Sequence, residues 1–391
     1  MLRARRTVIA AYFCVFWILG VWMPYFPLYL LHLGYDGRQI GMVAALQPAL
    51  RWSSAILWAY GADRWRMRHR LLLIAALGGA LCYAPLLFVQ RFAAVVAVTS
   101  AIALLHGALV PMLDATVMDH LSRLGGDYGR IRMWGSIAFV LGSLVSAPLI
   151  QQLSPALVPV LLFIGAVGLV PALVWVPTEQ FGRVEHFRAP WSLLTPPLSA
   201  FLLTAFLIQL SCGAWTGFFA VHTAALGFSN AVPGITWGLA VTAEVLLLFW
   251  GQRVVEWISP SRIILWVLVI TLARWSLTAV ARNEMLVVAL QIGHAFTFSA
   301  FHLAALLLLS RLVPAENSTG GQALYGLVAF GVGGSVGLGM AGVLVDTVGT
   351  SGLFACEALV ASFGFIPALL LRRLATGSSV LGVQVQQARF S

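Results

Sequence analysis

Charge is what this sequence has least of. Only 9% of its 391 residues are charged, and lysine is missing altogether: all 23 basic residues are arginine, set against 13 acids. A soluble domain carries about 25% charged residues. The deficit runs from end to end, which excludes a water-soluble enzyme and equally a disordered chain. An integral membrane protein is what remains. The formal charge of +10 does not read as nucleic-acid binding, because arginines at membrane edges meet anionic lipid and set topology.

Other absences narrow the field. The four cysteines, Cys14, Cys82, Cys212 and Cys356, lie far apart inside apolar runs, with no CxxC pair. They read as small buried hydrophobes, and no metal site is expected. No P-loop occurs, which argues against ATP-driven transport. The glycines from Gly331 to Gly342 fall inside an apolar run and suit close helix packing. Arg3, Arg5 and Arg6 precede a run that is too long for a cleaved signal peptide, so a first span is expected there.

What is present is apolar length: 60% of residues are hydrophobic, and the mean hydropathy is +0.93. A helix needs about 20 apolar residues to cross a bilayer. Breaking the chain at charged and Gly/Pro-rich interruptions gives twelve such runs: 7–31, 39–60, 71–89, 92–120, 131–152, 156–176, 196–225, 231–250, 262–281, 285–311, 320–345 and 352–371. An all-α integral membrane fold of twelve transmembrane helices follows. With the N-terminus in the cytoplasm, 18 arginines fall on cytoplasmic segments and three (Arg38, Arg91 and Arg282) on periplasmic turns. The positive-inside rule therefore places both termini in the cytoplasm. The polar stretch 181–194 separates an N-terminal six-helix bundle (1–180) from a C-terminal one (195–374), and 375–391 reads as a cytoplasmic tail.

The halves resemble each other. Gly34 to Gly41 matches Gly227 to Gly234 at an offset of 193, and the Trp134–Gly142 stretch matches Tyr325–Gly333 at an offset of 191. Parallel six-helix repeats around a midplane site are a transporter architecture. The same alignment sets Arg51 opposite Glu244. It also sets His106 and Asp114 roughly opposite His294 and His302.

Several stretches make the chain resemble the major facilitator superfamily, and within it the phenylpropionate-permease branch, related to oligosaccharide and nucleoside proton symporters. They are Gly20-Val21-Trp22-Met23-Pro24-Tyr25-Phe26-Pro27-Leu28-Tyr29-Leu30; Ile40-Gly41 and Arg51, leading to Gly61-Ala62-Asp63-Arg64; Pro111-Met112-Leu113-Asp114; Asp127-Tyr128-Gly129-Arg130-Ile131-Arg132-Met133-Trp134-Gly135-Ser136; and His294-Ala295-Phe296-Thr297-Phe298 with His302. The resemblance implies two six-helix bundles that rock about a central cavity lined by spans 1, 4, 7 and 10. It also implies a gating loop formed by Asp63, Arg64, Arg130 and Arg132. The loop after span 2 departs from the superfamily pattern: Gly61 stands only two residues before Asp63, and Arg66 replaces the usual glycine.

Ionisable groups within the membrane are costly and so become functional candidates. Asp114 reads either as a proton-coupling or substrate-contacting acid or as a fixed partner of Arg130 or Arg132. Glu244, the sole acid in the middle of its span, is a second protonation site or a hydrogen-bonded carboxyl, and His106 joins these as a coupling candidate. Arg51, one turn after Gln47, requires a carboxylate. That carboxylate is either a substrate, held by a bidentate clamp, or an internal acid such as Asp114 or Glu244. His294, His302 and Phe298 share a face and, with Trp237, complete the expected substrate-binding set; histidine titrates near neutral pH. Arg274 and Glu357, on outer scaffold spans, are expected to pair with each other. Taken together, these readings predict a secondary transporter of a bacterial inner membrane, monomeric, driven by the proton gradient without a cofactor. Its cargo would be a small organic anion, an aromatic carboxylate by resemblance; a sugar or nucleoside importer and a drug or metabolite exporter are the alternatives.

Overall fold

The computed structural model describes residues 2–107, 109–124, 128–176, 193–314 and 317–374. The expected linker, save residues 193 and 194, and the tail 375–391 lie outside the described residues. The described chain is helical. In order, the helices are α1 (Leu2–His32), α2 (Gly37–Trp65), α3 (Arg68–Tyr83), α4 (Phe92–His106), α5 (Leu109–Leu124), α6 (Tyr128–Gln152), α7 (Val158–Val174), α8 (Pro196–Leu210), α9 (Phe219–Ala225), α10 (Val232–Trp257), α11 (Pro260–Val280), α12 (Glu284–Leu290), α13 (Phe301–Leu312), α14 (Ser318–Gly326) and α15 (Gly334–Phe363).

Among the described residues ten segments are long and apolar enough to cross a membrane, against the twelve runs expected. The difference has two physical sources. The 29-residue helix α2 falls outside the ten, because Gln47, Pro48, Arg51, Ser53 and Ser54 dilute the hydropathy of its middle. The last segment, Ser318–Leu374, counts once at 57 residues. It is broken at Gly349 (φ 70°, ψ 170°), inside the interval expected to separate two runs.

The repeat has a backbone counterpart. At the end of α1, Leu33, Gly34 and Tyr35 donate to the carbonyls of Tyr29, Leu31 and Leu30. At the end of α9, Leu226, Gly227 and Phe228 donate to those of His222, Ala224 and Thr223, each 193 residues later. Gly34 (φ 81°) and Gly227 (φ 75°) supply the left-handed residue in each case. This is a Schellman-type stop, which glycine adopts without strain. Asp36 then starts α2 with a capping box: its side chain accepts from the Gln39 N–H while Gln39 reaches back to the Asp36 N–H.

Among the described residues the buried apolar side chains form three clusters, and their membership shows where the halves meet. One cluster joins both halves, running from Val21, Tyr25 and Ile40 to Trp215, Ala341 and Phe354. A second, including Val8, Leu113, Ile131 and Leu173, is confined to the first half. A third, including Leu198, Ile264, Leu309 and Leu371, is confined to the second. The halves therefore share a core at one end and keep separate cores at the other, the end that carries the start of α1 and the close of the last helix. At the shared end Gly41 lies backbone to backbone against Gly342: a Cβ on Gly41 would stand 2.5 Å from the Gly342 Cα. There Asp346 accepts from the Gly37 N–H at 3.1 Å, and the Ser229 hydroxyl donates to Gln151 at 2.9 Å.

A cavity between the two halves

The halves enclose a cavity of about 430 Å3. α1, α2 and α6 form one wall; α8, α10 and the segments after α8, α12 and α14 form the other. Three of these segments are π-helical turns: Ala214–Phe218, Ala295–Ala300 and Leu327–Gly333. Each presents cavity residues, Trp215 and Thr216, Thr297 and Phe298, and Phe330. A turn widened by one residue shifts the register of the helical face, so residues either side of it reach the cavity together.

The walls are aromatic. Trp22 stacks on Phe26 at 3.8 Å between ring centroids, and Trp215 stacks on Trp237 at 4.5 Å. His294 lies 5.3 Å from the Trp215 ring and 5.6 Å from that of Phe298.

Charge enters from opposite sides. Arg51 and Gln47 line the cavity from α2, and Arg132 from the start of α6. Among the described residues no carboxylate lies within salt-bridge reach of the Arg51 guanidinium, and no hydrogen bond engages it. Gln47 is held by donation from its Nε2 to the Thr99 carbonyl at 3.2 Å. Arg132 sits over the Phe16 ring at 4.1 Å, a cation–π contact.

Opposite, Glu244 Oε1 lies 2.9 Å from His294 Nε2. Arg274 donates from Nη1 to the other imidazole nitrogen, Nδ1, at 3.3 Å and to Thr297 at 2.9 Å; its Nε donates to Gln291 at 2.8 Å. An arginine can only donate, so Nδ1 accepts. Nε2 then carries the hydrogen directed at Glu244. Gln291 is held in turn by donation to Thr278 and to the Val287 carbonyl.

Of the residues expected to bind substrate, Arg51, Gln47, His294, Phe298 and Trp237 line the cavity together, with Glu244. His302 does not: its Nδ1 lies 3.4 Å from the Tyr325 hydroxyl, one turn beyond Phe298. Asp114 also lies outside. It accepts from the hydroxyls of Tyr12 and Tyr128, the latter at 2.9 Å, rather than from Arg130 or Arg132. His106 packs behind Arg51 against the Tyr83 ring at 5.5 Å. Of the gating set, the Asp63 side chain lies outside the described residues; Arg64 and Arg130 are exposed, while Arg132 lines the cavity.

Among the described residues the direct bridge expected between Arg274 and Glu357 does not form, although the two lie near enough to attract each other. Glu357 accepts from the Ala214 N–H, freed where α8 gives way to the π-helical turn. Arg274 is sandwiched over the rings of Trp215 (4.5 Å) and Trp275 (4.2 Å), which turns its guanidinium towards His294. Sequence reasoning missed Arg132 as a wall residue and Arg274 with Gln291 and Thr297 as a network. The signal for Arg132 was its spacing, with Ser136 and Phe139 one and two turns later on the same face.

Two helical halves that share a core at one end and hold a charged, aromatic-walled cavity between them define a membrane transporter of the major facilitator type. The chain belongs to the MFS_1 like family, whose model matches residues 7–356. It is 28% identical over 386 residues to the probable 3-phenylpropionic acid transporter of Escherichia coli (strain K12), covering 95% of this chain and 98% of that one. It is 25% identical over 335 residues to the maltose permease of Geobacillus stearothermophilus, covering 84% and 85%. Among solved structures it is similar to a mutant form of the nucleoside transporter NupG, with a TM-score of 0.83 at 16% identity, covering 95% and 99%.

Proposed function

We propose that the chain is a proton-coupled symporter of small organic anions, with an aromatic carboxylate of the phenylpropionate kind as cargo. It works by alternating access, as a monomer of twelve spans with both termini in the cytoplasm of a bacterial cell. The observation that carries this reading is Arg51, a cavity guanidinium without a carboxylate partner among the described residues, set among aromatic rings. A guanidinium fork matches a carboxylate with two parallel hydrogen bonds, and the rings suit the rest of an aryl acid. The Escherichia coli relative carries 3-phenylpropionic acid in its name. Glu244 with His294 supplies a place for the coupled proton on the opposite wall. With the termini cytoplasmic, the end at which the cores part faces inward, so this conformation is the one that releases or receives cargo on the cytoplasmic side.

The test is uptake of labelled 3-phenylpropionate by proteoliposomes under an imposed pH gradient. Gradient-driven accumulation is expected. Uptake that ignores the gradient would remove proton symport, and accumulation of maltose or uridine in its place would favour the neutral-substrate reading suggested by the maltose permease relative.

A further inference from the structure

A second hollow, of about 340 Å3, lies on the outside of the first half. Leu57, Trp58, Gly61 and Trp65 of α2, Leu71 of α3 and Leu104 of α4 wall it. It is separate from the central cavity, with which it shares no lining residue. Its rim is exposed: Leu57 is 71% and Trp65 62% accessible. One wall is fixed, because the Trp58 Nε1 donates to the Leu104 carbonyl at 2.7 Å across the groove. Gly61 keeps the floor low: a Cβ there would stand 2.9 Å from the Trp65 ring.

The chain reverses at one end of this groove. Arg66 closes α2 in the left-handed conformation (φ 52°, ψ 42°), with its N–H bonded to the Ala62 carbonyl. It is the one non-glycine residue with positive φ among the described residues. A non-glycine residue in that region carries a conformational cost. Its effect is to fold the start of α3 back beside the end of α2. Arg64 and Arg66, which flank Trp65 in the chain, and Arg70, in the first turn of α3, are exposed, and His69 is half-buried against the Leu173 carbonyl.

We infer that this groove is a binding site for an anionic glycerophospholipid, one acyl chain lying along Leu57, Trp58 and Leu104 and the headgroup phosphate meeting Arg64 and Arg66. The argument is charge complementarity joined to depth. The groove has an apolar body whose walls at Leu57 and Trp65 are exposed, and exposed arginines stand in the chain on either side of Trp65 at one end, the division of an anionic lipid itself. Phosphate accepts from guanidinium groups in fixed, bidentate geometry, and a basic cluster at a membrane surface attracts acidic headgroups. The indole of Trp65 stands at the boundary, where amphipathic rings settle. The groove floor includes Ser54, whose hydroxyl donates to the Arg51 carbonyl at 3.2 Å, so an occupied groove bears directly on the helix turn that presents Arg51.

The test is native mass spectrometry of the delipidated full-length protein, titrated with phosphatidylglycerol or with phosphatidylcholine of the same acyl chains. Wild type should retain the anionic lipid with roughly tenfold preference. The double variant Arg64→Gln/Arg66→Gln should lose that preference. Leu57→Trp, at an exposed position, fills the groove and should weaken retention of both lipids. A control pair on the other half, Arg262→Gln/Arg311→Gln, should leave the preference intact, and all variants should keep wild-type melting behaviour. Equal binding of the two lipids by wild type, or a preference that survives Arg64→Gln/Arg66→Gln, overturns the site. So does an equal loss in the control pair, which would mean general surface charge. Unchanged retention by Leu57→Trp removes the groove from the account.

Discussion

Glu244 and His294 face each other across the second half's wall, Oε1 to Nε2 at 2.9 Å, while Arg274 occupies the imidazole's other nitrogen. Arg274 orients the ring, and the ring presents its N–H to the carboxylate. Replacing Glu244 with Gln keeps the shape and removes the ionisable carboxyl. Glu244→Gln should abolish accumulation against a concentration gradient yet leave exchange of internal for external substrate running. Counterflow measured beside pH-driven uptake separates the two, and full accumulation by the variant would clear Glu244 of coupling.

Arg51 invites a graded series. Arg51→Lys keeps the charge and loses the fork, so affinity for an aryl carboxylate should fall about tenfold, near 1.4 kcal/mol. Arg51→Gln should lose about 1.5–3 kcal/mol, the worth of a hydrogen bond to a charged group. Calorimetric titration of the purified protein with 3-phenylpropionate reads both, and equal affinity in wild type and Arg51→Gln would exclude the clamp.

The contact of Gly41 with Gly342 leaves no room for a side chain. Gly41→Val should wedge the shared end apart, costing about 1–3 kcal/mol as overpacking does and weakening the conformation described here. A lower melting temperature together with faster thiol labelling of a cysteine introduced in place of Ser229, at the same end, is expected. Wild-type values for both would show that the two helices part freely.

Glu357 separates shape from hydrogen bonding. Glu357→Gln can still accept from the Ala214 N–H through its amide oxygen and should melt close to wild type. Glu357→Leu leaves that buried N–H without a partner, at about 1–3 kcal/mol. Thermal unfolding in detergent distinguishes them, and identical melting curves would mean that the bond to Ala214 holds nothing.

Much of this architecture was legible in the chain because the bilayer imposes a long-range rule on composition. The apolar runs locate the helices, and the matched glycines Gly34 and Gly227 mark the repeat that the backbone then displays. The cavity was legible where a residue's type is rare for its setting, as with Arg51, Glu244 and His294. What escaped depended on rotation about helix axes. The face shared by Arg132, Ser136 and Phe139 was readable, but nothing in the order of residues says that it faces the cavity, or that His302 turns away towards Tyr325. For His302 the widened turn at 295–300 matters, as those at 214–218 and 327–333 do for their own helices: each advances the helical face by a fraction of a turn and breaks the 3.6-residue reckoning. Arg274 was misassigned for a related reason. Its depth in the span was readable, but the two indoles that aim it were not.

The repeat puts Arg51 and Glu244 at one address in two copies of the same unit, 193 residues apart, and the two halves close around a single space with them on facing walls. One copy offers a fixed positive charge and the other a carboxyl that can be filled by a proton. In the proposed symport, a monovalent anion carried with one proton would cross without net movement of charge. That proposed cycle is electroneutral: it would draw on the chemical gradient of protons and be indifferent to membrane voltage. A potassium diffusion potential imposed at equal pH on both faces should therefore drive no uptake.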